Sequence, residues 1–507
     1  MSKLIFFIII FSATASYGQR KQESLEFDSL DYYLALGDFD NAIHLLDEEI
    51  LKSPSAELYA SRGLAKIEIY DLDGALLDLM RNLKLNPKND TSYYNIGYIY
   101  YMLDQYMTSI NYYDSALMYN NDNIYYLIAR GNSFLEIDNF NLAQLDYRKV
   151  ITIDPETDLG YYGIAMCHFY SNQYDSAKYY LSFALTYDPF DADYYYHRAL
   201  CKYQLNDYEG AFRDVNFSID IDPTNVSARL SRAQLYIGEG LLEDALKDLN
   251  YGLREDSLNI ELLNERGNVL LNTGNYSLAI EDFTSIIKSD MIIDVVLYNR
   301  GLSYFFLDEF DLAIQDFTKA IQLNDREEDY YTYRALANLS IEKTDLAFSD
   351  FSVAMEINPH NPDVYFKRSA TYFENKEYQS ALQDLETAFK LDPEFSEIFL
   401  LRAEIFAELN EDEKALKNYD LAILHEPDNG KIFFQRGIFL FEIENFDGAM
   451  DDFNYSILLD ENIPAPYTNR GLLKHELKDR VGACQDWKAA FQLGSEFAQD
   501  LLLKHCR

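Results

Sequence analysis

The chain has 507 residues, too many for one ordinary domain, and its 48% hydrophobic content suits a large core rather than disorder. A formal net charge of -42 excludes the surplus of Lys and Arg by which proteins grip nucleic acid or anionic lipid headgroups. Diffuse negative charge attracts cations but specifies no partner.

The first element is an address rather than a fold. Lys3, the apolar run from Leu4 to Phe11 and the small, polar stretch from Ser12 to Gly18 read as a signal peptide over residues 1–18, cleaved after Ala15 or after Gly18. The run falls short of the roughly 20 residues that span a bilayer. No Cys lies near its exit, and no later segment is apolar enough to cross. The mature chain is therefore expected in a periplasm or outside the cell, without membrane insertion. Residues 19–55 form an N-terminal segment with a degenerate first repeat marked by Ala42 and Pro54.

From residue 56 to residue 497 a 34-residue period runs without insertion through thirteen units. A small residue recurs at Gly63, Gly97, Gly131, Ala165 and onward to Gly471; a second series, from Ala75 to Ala483, follows twelve residues behind each. Prolines fall on a third series, including Pro87, Pro155, Pro223 and Pro393. Within a unit, Leu297, Arg300, Gly301 and Tyr304 share one face of a first helix. Residues 308–311 make a polar turn, Ala313, Phe317 and Ala320 mark a second helix, and a proline stops it. Small residues at the crossing points let the two helices approach closely.

An Arg precedes the small residue in eleven units, and sixteen residues later stands an Asp in ten of them, with Asn418 the lone amide. The two units without the Arg have Ile96 and Ile164, and they carry Tyr112 and Tyr180 where the acid would be. Arg and Asp thus come and go together. This predicts a guanidinium–carboxylate bridge within each hairpin, as between Arg300 and Asp316 or Arg334 and Asp350.

After the last unit, Gly494 and Ser495 turn the chain and residues 496–507 read as a capping helix. Cys484 and Cys506 each lie eleven residues from Ser495, so antiparallel helices bring them level. In an oxidising compartment a disulfide is expected, worth on the order of 3 kcal/mol.

These units resemble the tetratricopeptide repeat; Glu328 to Asn361 displays its pattern in Tyr331, Ala335, Ala347, Phe351, Ala354 and Pro359. The resemblance implies an all-α chain: a right-handed α-solenoid superhelix of about 14 helical hairpins with a concave groove. In that family a stripe on the first helices lines the groove. Here the stripe reads Tyr94, Tyr98, Tyr101, then Tyr162 and Phe169, Tyr196 and Tyr203, Asn264 and Asn268, Tyr298, and Phe366, with Lys431 its only basic residue. It lacks the Lys/Arg/Asn pattern by which chaperone-binding members clamp a C-terminal carboxylate. Rigid amphipathic rings suit peptides and also sugar rings, and they equally suit packing between helices.

No catalytic constellation is legible. Cys167, His168, His197 and Cys201 suggest zinc only superficially, because the two cysteines occupy one place in consecutive units and point the same way. Acidic pairs such as Asp451-Asp452 recur with the period, which marks them as scaffold. No enzyme activity and no cofactor is expected. The expected role is a scaffold for proteins or peptides in the cell envelope or outside the cell, with a carbohydrate-binding solenoid as the alternative.

Overall fold

The computed structural model describes residues 29–289 and 293–506. The expected signal peptide lies outside the described residues. Among these the chain is all-α: twenty-nine helices in succession form antiparallel hairpins. They make two compact units, one up to Glu265 and the other from Arg266. Within each unit, a helix packs mainly on its neighbours in sequence, and first helices of successive hairpins also touch one another. This is the one-dimensional packing of a solenoid.

The hairpin follows from size complementarity. Gly301 faces Phe317, and a Cβ on that glycine would lie 2.7 Å from the ring; Gly471 stands in the same relation to Trp487, at 2.5 Å. Alanine holds the same place opposite Leu181 and Val215, and also opposite Phe351 and Tyr419, at positions 165, 199, 335 and 403. The contact between Phe140–Ile153 and Asp158–Tyr170 is as close. There Gly160 meets Val150 and Ile151, and Gly163 meets Tyr147. Among the described residues no side-chain hydrogen bond or ion pair joins those two helices.

The turn inside each hairpin is a single left-handed residue. Tyr70, Asp104, Asp138, Asn172, Asn206, Gly240, Gly274 and, from Asp308 on, every thirty-fourth residue to Lys478 have φ between 57 and 77°. The following amide closes the helix end, as when Glu309 N–H donates to the Tyr304 carbonyl at 2.9 Å. That next residue often caps the second helix: Asp71 and Asp207 accept from Gly74 and Gly210 N–H at 3.1 and 2.9 Å. Between hairpins, Asp or Asn before the turn accepts an amide two residues on, as Asp222 does from Thr224 at 2.9 Å.

The degenerate first unit is present as Ser29–Leu36 and Phe39–Lys52, with Ala42, Leu46 and Ile50 buried. After the last hairpin, Glu496–His505 packs Ala498 and Leu501 against Trp487. Cys484 and Cys506 are bonded, with their Cα atoms 5.8 Å apart.

Candidate interaction surface on the first helices

The arginines and aspartates meet at the hairpin crossing. Arg300 donates through Nε and Nη2 to both carboxylate oxygens of Asp316, at 2.7 and 2.8 Å, and Arg334 does so to Asp350 at 2.9 and 2.6 Å. The third nitrogen goes elsewhere: Nη1 of Arg300 reaches Thr284 at 3.0 Å, and that of Arg334 reaches Thr318 at 3.2 Å. Both threonines belong to the preceding hairpin. Arg300 and Arg334 are thus staples across three helices, a role the sequence pattern did not disclose. The available signal is an oxygen-bearing residue sixteen positions before most of these arginines, such as Asn216 before Arg232, bonded at 2.7 Å. Where Arg is missing, Ile96 and Tyr112 pack in one apolar cluster and Ile164 and Tyr180 in another. Arg402, opposite the amide Asn418, has no ion pair among the described residues.

The aromatic stripe divides into packed and presented members. Tyr94 is only 4% exposed and stacks on Tyr126 at 4.9 Å. Tyr162 pairs with Tyr194 at 4.7 Å and Tyr298 with Tyr330 at 4.9 Å, two hairpins repeating the same device. In each case the outer hydroxyl donates to an aspartate of the preceding first helix: Tyr126 to Asp90 at 3.2 Å, Tyr330 to Asp294 at 3.0 Å, and Tyr194 to Asp158. Burial works to raise the Asp294 carboxyl, but hydrogen bonds from Asn324 and Tyr330 hold it below its usual range. Phe366 packs edge-on against Phe395 at 5.1 Å. Asn268 accepts from Asn299 at 2.8 Å, and Asn264 is half-buried.

Tyr98, Tyr101, Phe169, Tyr196 and Tyr203 keep part of their surface in solvent, Tyr203 as much as 42%. Three stripe rings gather round His197, with centroids at 5.1 Å for Tyr196, 5.7 Å for Tyr162 and 6.0 Å for Phe169. Burial lowers the imidazole pKa, and its Nδ1 lies 2.8 Å from the Asp193 carbonyl. Sequence reasoning met His197 only as a poor zinc ligand, because its ring contacts come from two hairpins. Cys167 and Cys201 are buried free thiols, each pushed up to about 12 by burial. No grouping of His, Cys, Asp and Glu suited to a metal occurs among the described residues.

Three family models, each described as the tetratricopeptide repeat, match at residues 90–123, 162–225 with 367–431, and 295–326. A tetratricopeptide repeat-containing protein of Methanocaldococcus jannaschii is 23% identical over 164 residues, and the match spans 29% of this chain and 29% of that relative. Among solved structures, yeast Tom70 is similar at 17% identity over 82% of this chain and 94% of its own, with a TM-score of 0.43. YrrB, described as a tetratricopeptide-repeat protein with an unusual peptide-binding site, is similar at 22% identity over 36% of this chain and 93% of its own, with a TM-score of 0.32.

Proposed function

Because the chain is built of tetratricopeptide repeats, we propose that it is a non-catalytic scaffold, exported from the cell, that holds protein or peptide partners along its first helices. The observation that carries this reading is the set of partly exposed rings, Tyr98, Tyr101, Phe169, Tyr196 and Tyr203, on helices whose other faces are occupied by packing. Rigid aromatic surface with hydroxyl handles binds extended chain at low entropic cost. Export rests on the apolar run from Leu4 to Phe11 and its small-residue exit.

The test places a photo-crosslinking residue at Tyr203 and, as a control, at Leu145, which is 62% exposed on a second helix. The mature protein is then exposed to native envelope and secreted fractions. Protein adducts at position 203 that unlabelled protein competes away, and that position 145 does not give, support the scaffold. Retention on glycans with no protein adduct at position 203 overturns it. Export is checked by N-terminal sequencing of the released chain, expected to begin after Ala15 or Gly18.

A further inference from the structure

The two helices of each hairpin use their charges unequally in the unit that ends at Glu265. On the first helices from Ala56–Glu68 to Val226–Gly238, the basic residues are Arg62, Lys66, Arg130, Arg198, Lys202, Arg229 and Arg232. Every one of them is paired with an aspartate on a second helix: Asp78, Asp146, Asp214 or Asp248. The carboxylates of Glu68 and Asp193 on these helices, and of Glu261 at the start of the next first helix, Ile260–Asn272, make no ion pair among the described residues, so the positive charge of this face is neutralised while its negative charge is not.

These carboxylates stand beside the presented rings. Asp193 stands one helical turn before Tyr196 on Ala192–Gln204, and Asp193 and Glu261 both act on the Tyr196 hydroxyl, as Glu68 does on that of Tyr98. Tyr101 donates to Glu136 at 3.0 Å. Resting on the scaffold reading, we propose that this face binds a lysine- or arginine-bearing extended segment of a partner protein. Guanidinium or ammonium groups lie over the rings of Tyr196 and Tyr203 and end on Asp193 and Glu261. A cation gains both from the face of an aromatic ring and from a neighbouring carboxylate, and neither gain is open to a neutral or acidic segment. Uncompensated acid beside aromatic surface repels an anionic chain, which supplies the selectivity.

The experiment measures binding of fluorescein-labelled hexa-arginine to the mature full-length protein by anisotropy, with hexa-glutamate and a neutral Tyr/Leu-containing peptide as comparators. Two isosteric charge-neutralising pairs separate local from diffuse charge: Asp193→Asn with Glu261→Gln on the first helices, and Asp220→Asn with Glu243→Gln, both exposed on second helices. The first pair is expected to weaken hexa-arginine binding about tenfold, the second less than twofold, and Tyr203→Ala about threefold, in line with a cation–π contact at a half-exposed ring. Equal weakening by both pairs, or none by the first, overturns the proposal. If the neutral peptide crosslinks at position 203 and hexa-arginine does not bind, the scaffold reading stands and this inference falls. If no peptide crosslinks there, the scaffold reading itself fails.

Discussion

Arg300 illustrates how much one side chain holds. Its guanidinium edge is 14% exposed and Asp316 only 4%, so truncating the Arg leaves a carboxylate desolvated and unpaired. Arg300→Ile should cost about 3 kcal/mol in urea unfolding, at the low end for a buried pair because one edge meets water. Adding Asp316→Tyr reproduces the Ile/Tyr arrangement that the chain uses at Ile164 and Tyr180, and should recover part of the loss. No change in the single variant would show that the bridge is idle. Asp191 is a second residue with a definite signature. It caps its helix by accepting from Tyr194 N–H at 3.0 Å, yet burial, reinforced by Asp193 and Asp188, pushes its carboxyl up to about 6. A carboxyl whose folded pKa exceeds its unfolded value binds extra protons in the folded state, so it favours folding as pH falls through 6 toward 4. Asp191→Asn keeps the cap acceptor and should flatten the rise in melting temperature between pH 7 and pH 5. An unchanged slope would place the effect elsewhere.

At the scale of the element, the left-handed turn residue is the strained point of every hairpin. Such a conformation costs an L-residue about 1–2 kcal/mol, and glycine escapes that cost at about 0.5–1 kcal/mol of chain entropy. Tyr70, at φ 60° and 74% exposed, has little packing to lose. Tyr70→Gly should therefore raise stability by about 0.5 kcal/mol, seen as a small increase in the unfolding midpoint; a decrease would mean the ring has a hidden partner. This turn also marks where the sequence stopped being readable. The crossing residues were legible because a small residue recurs there every thirty-four positions, and the Arg–Asp bridges because the two residues vanish together at Ile96 and Tyr112. The left-handed conformation of the turn was not, since Asp, Asn, Glu, Lys and Tyr all occupy it and only at Gly37, Gly240 and Gly274 does a glycine betray it. Nor could the stripe be sorted in advance. Tyr94 and Tyr98 lie one helical turn apart, and only the ring of Tyr126, a hairpin away in sequence, decides that the first is core and the second is surface.

At the scale of the whole molecule, each unit packs its helices mainly on their neighbours in sequence among the described residues, so its stability is close to a sum of local terms, and a hairpin with a neighbour on one side only is a weak place. The bonded cysteines and the helix Glu496–His505 brace one such hairpin, closing a sequence separation of 22 residues. Trp487, the only tryptophan, is fully buried in that hairpin. Its fluorescence therefore reports on the last hairpin, while circular dichroism reports on the whole array. In Cys506→Ser the tryptophan transition should move to lower denaturant than the dichroism transition, by an amount consistent with about 3 kcal/mol of local stability. Coincident, unshifted transitions would mean the bond contributes nothing there.

The close contact of Gly160 and Gly163 with Val150, Ile151 and Tyr147 gives the array a joint of a different temperament. A seam bridged by arginine answers to ionic strength. A seam made by burying apolar surface is indifferent to ionic screening and loosens as the solvent cools. Chilled in dilute buffer, the protein should begin to breathe between Phe140–Ile153 and Asp158–Tyr170, at the threshold of the very hairpin that presents Phe169.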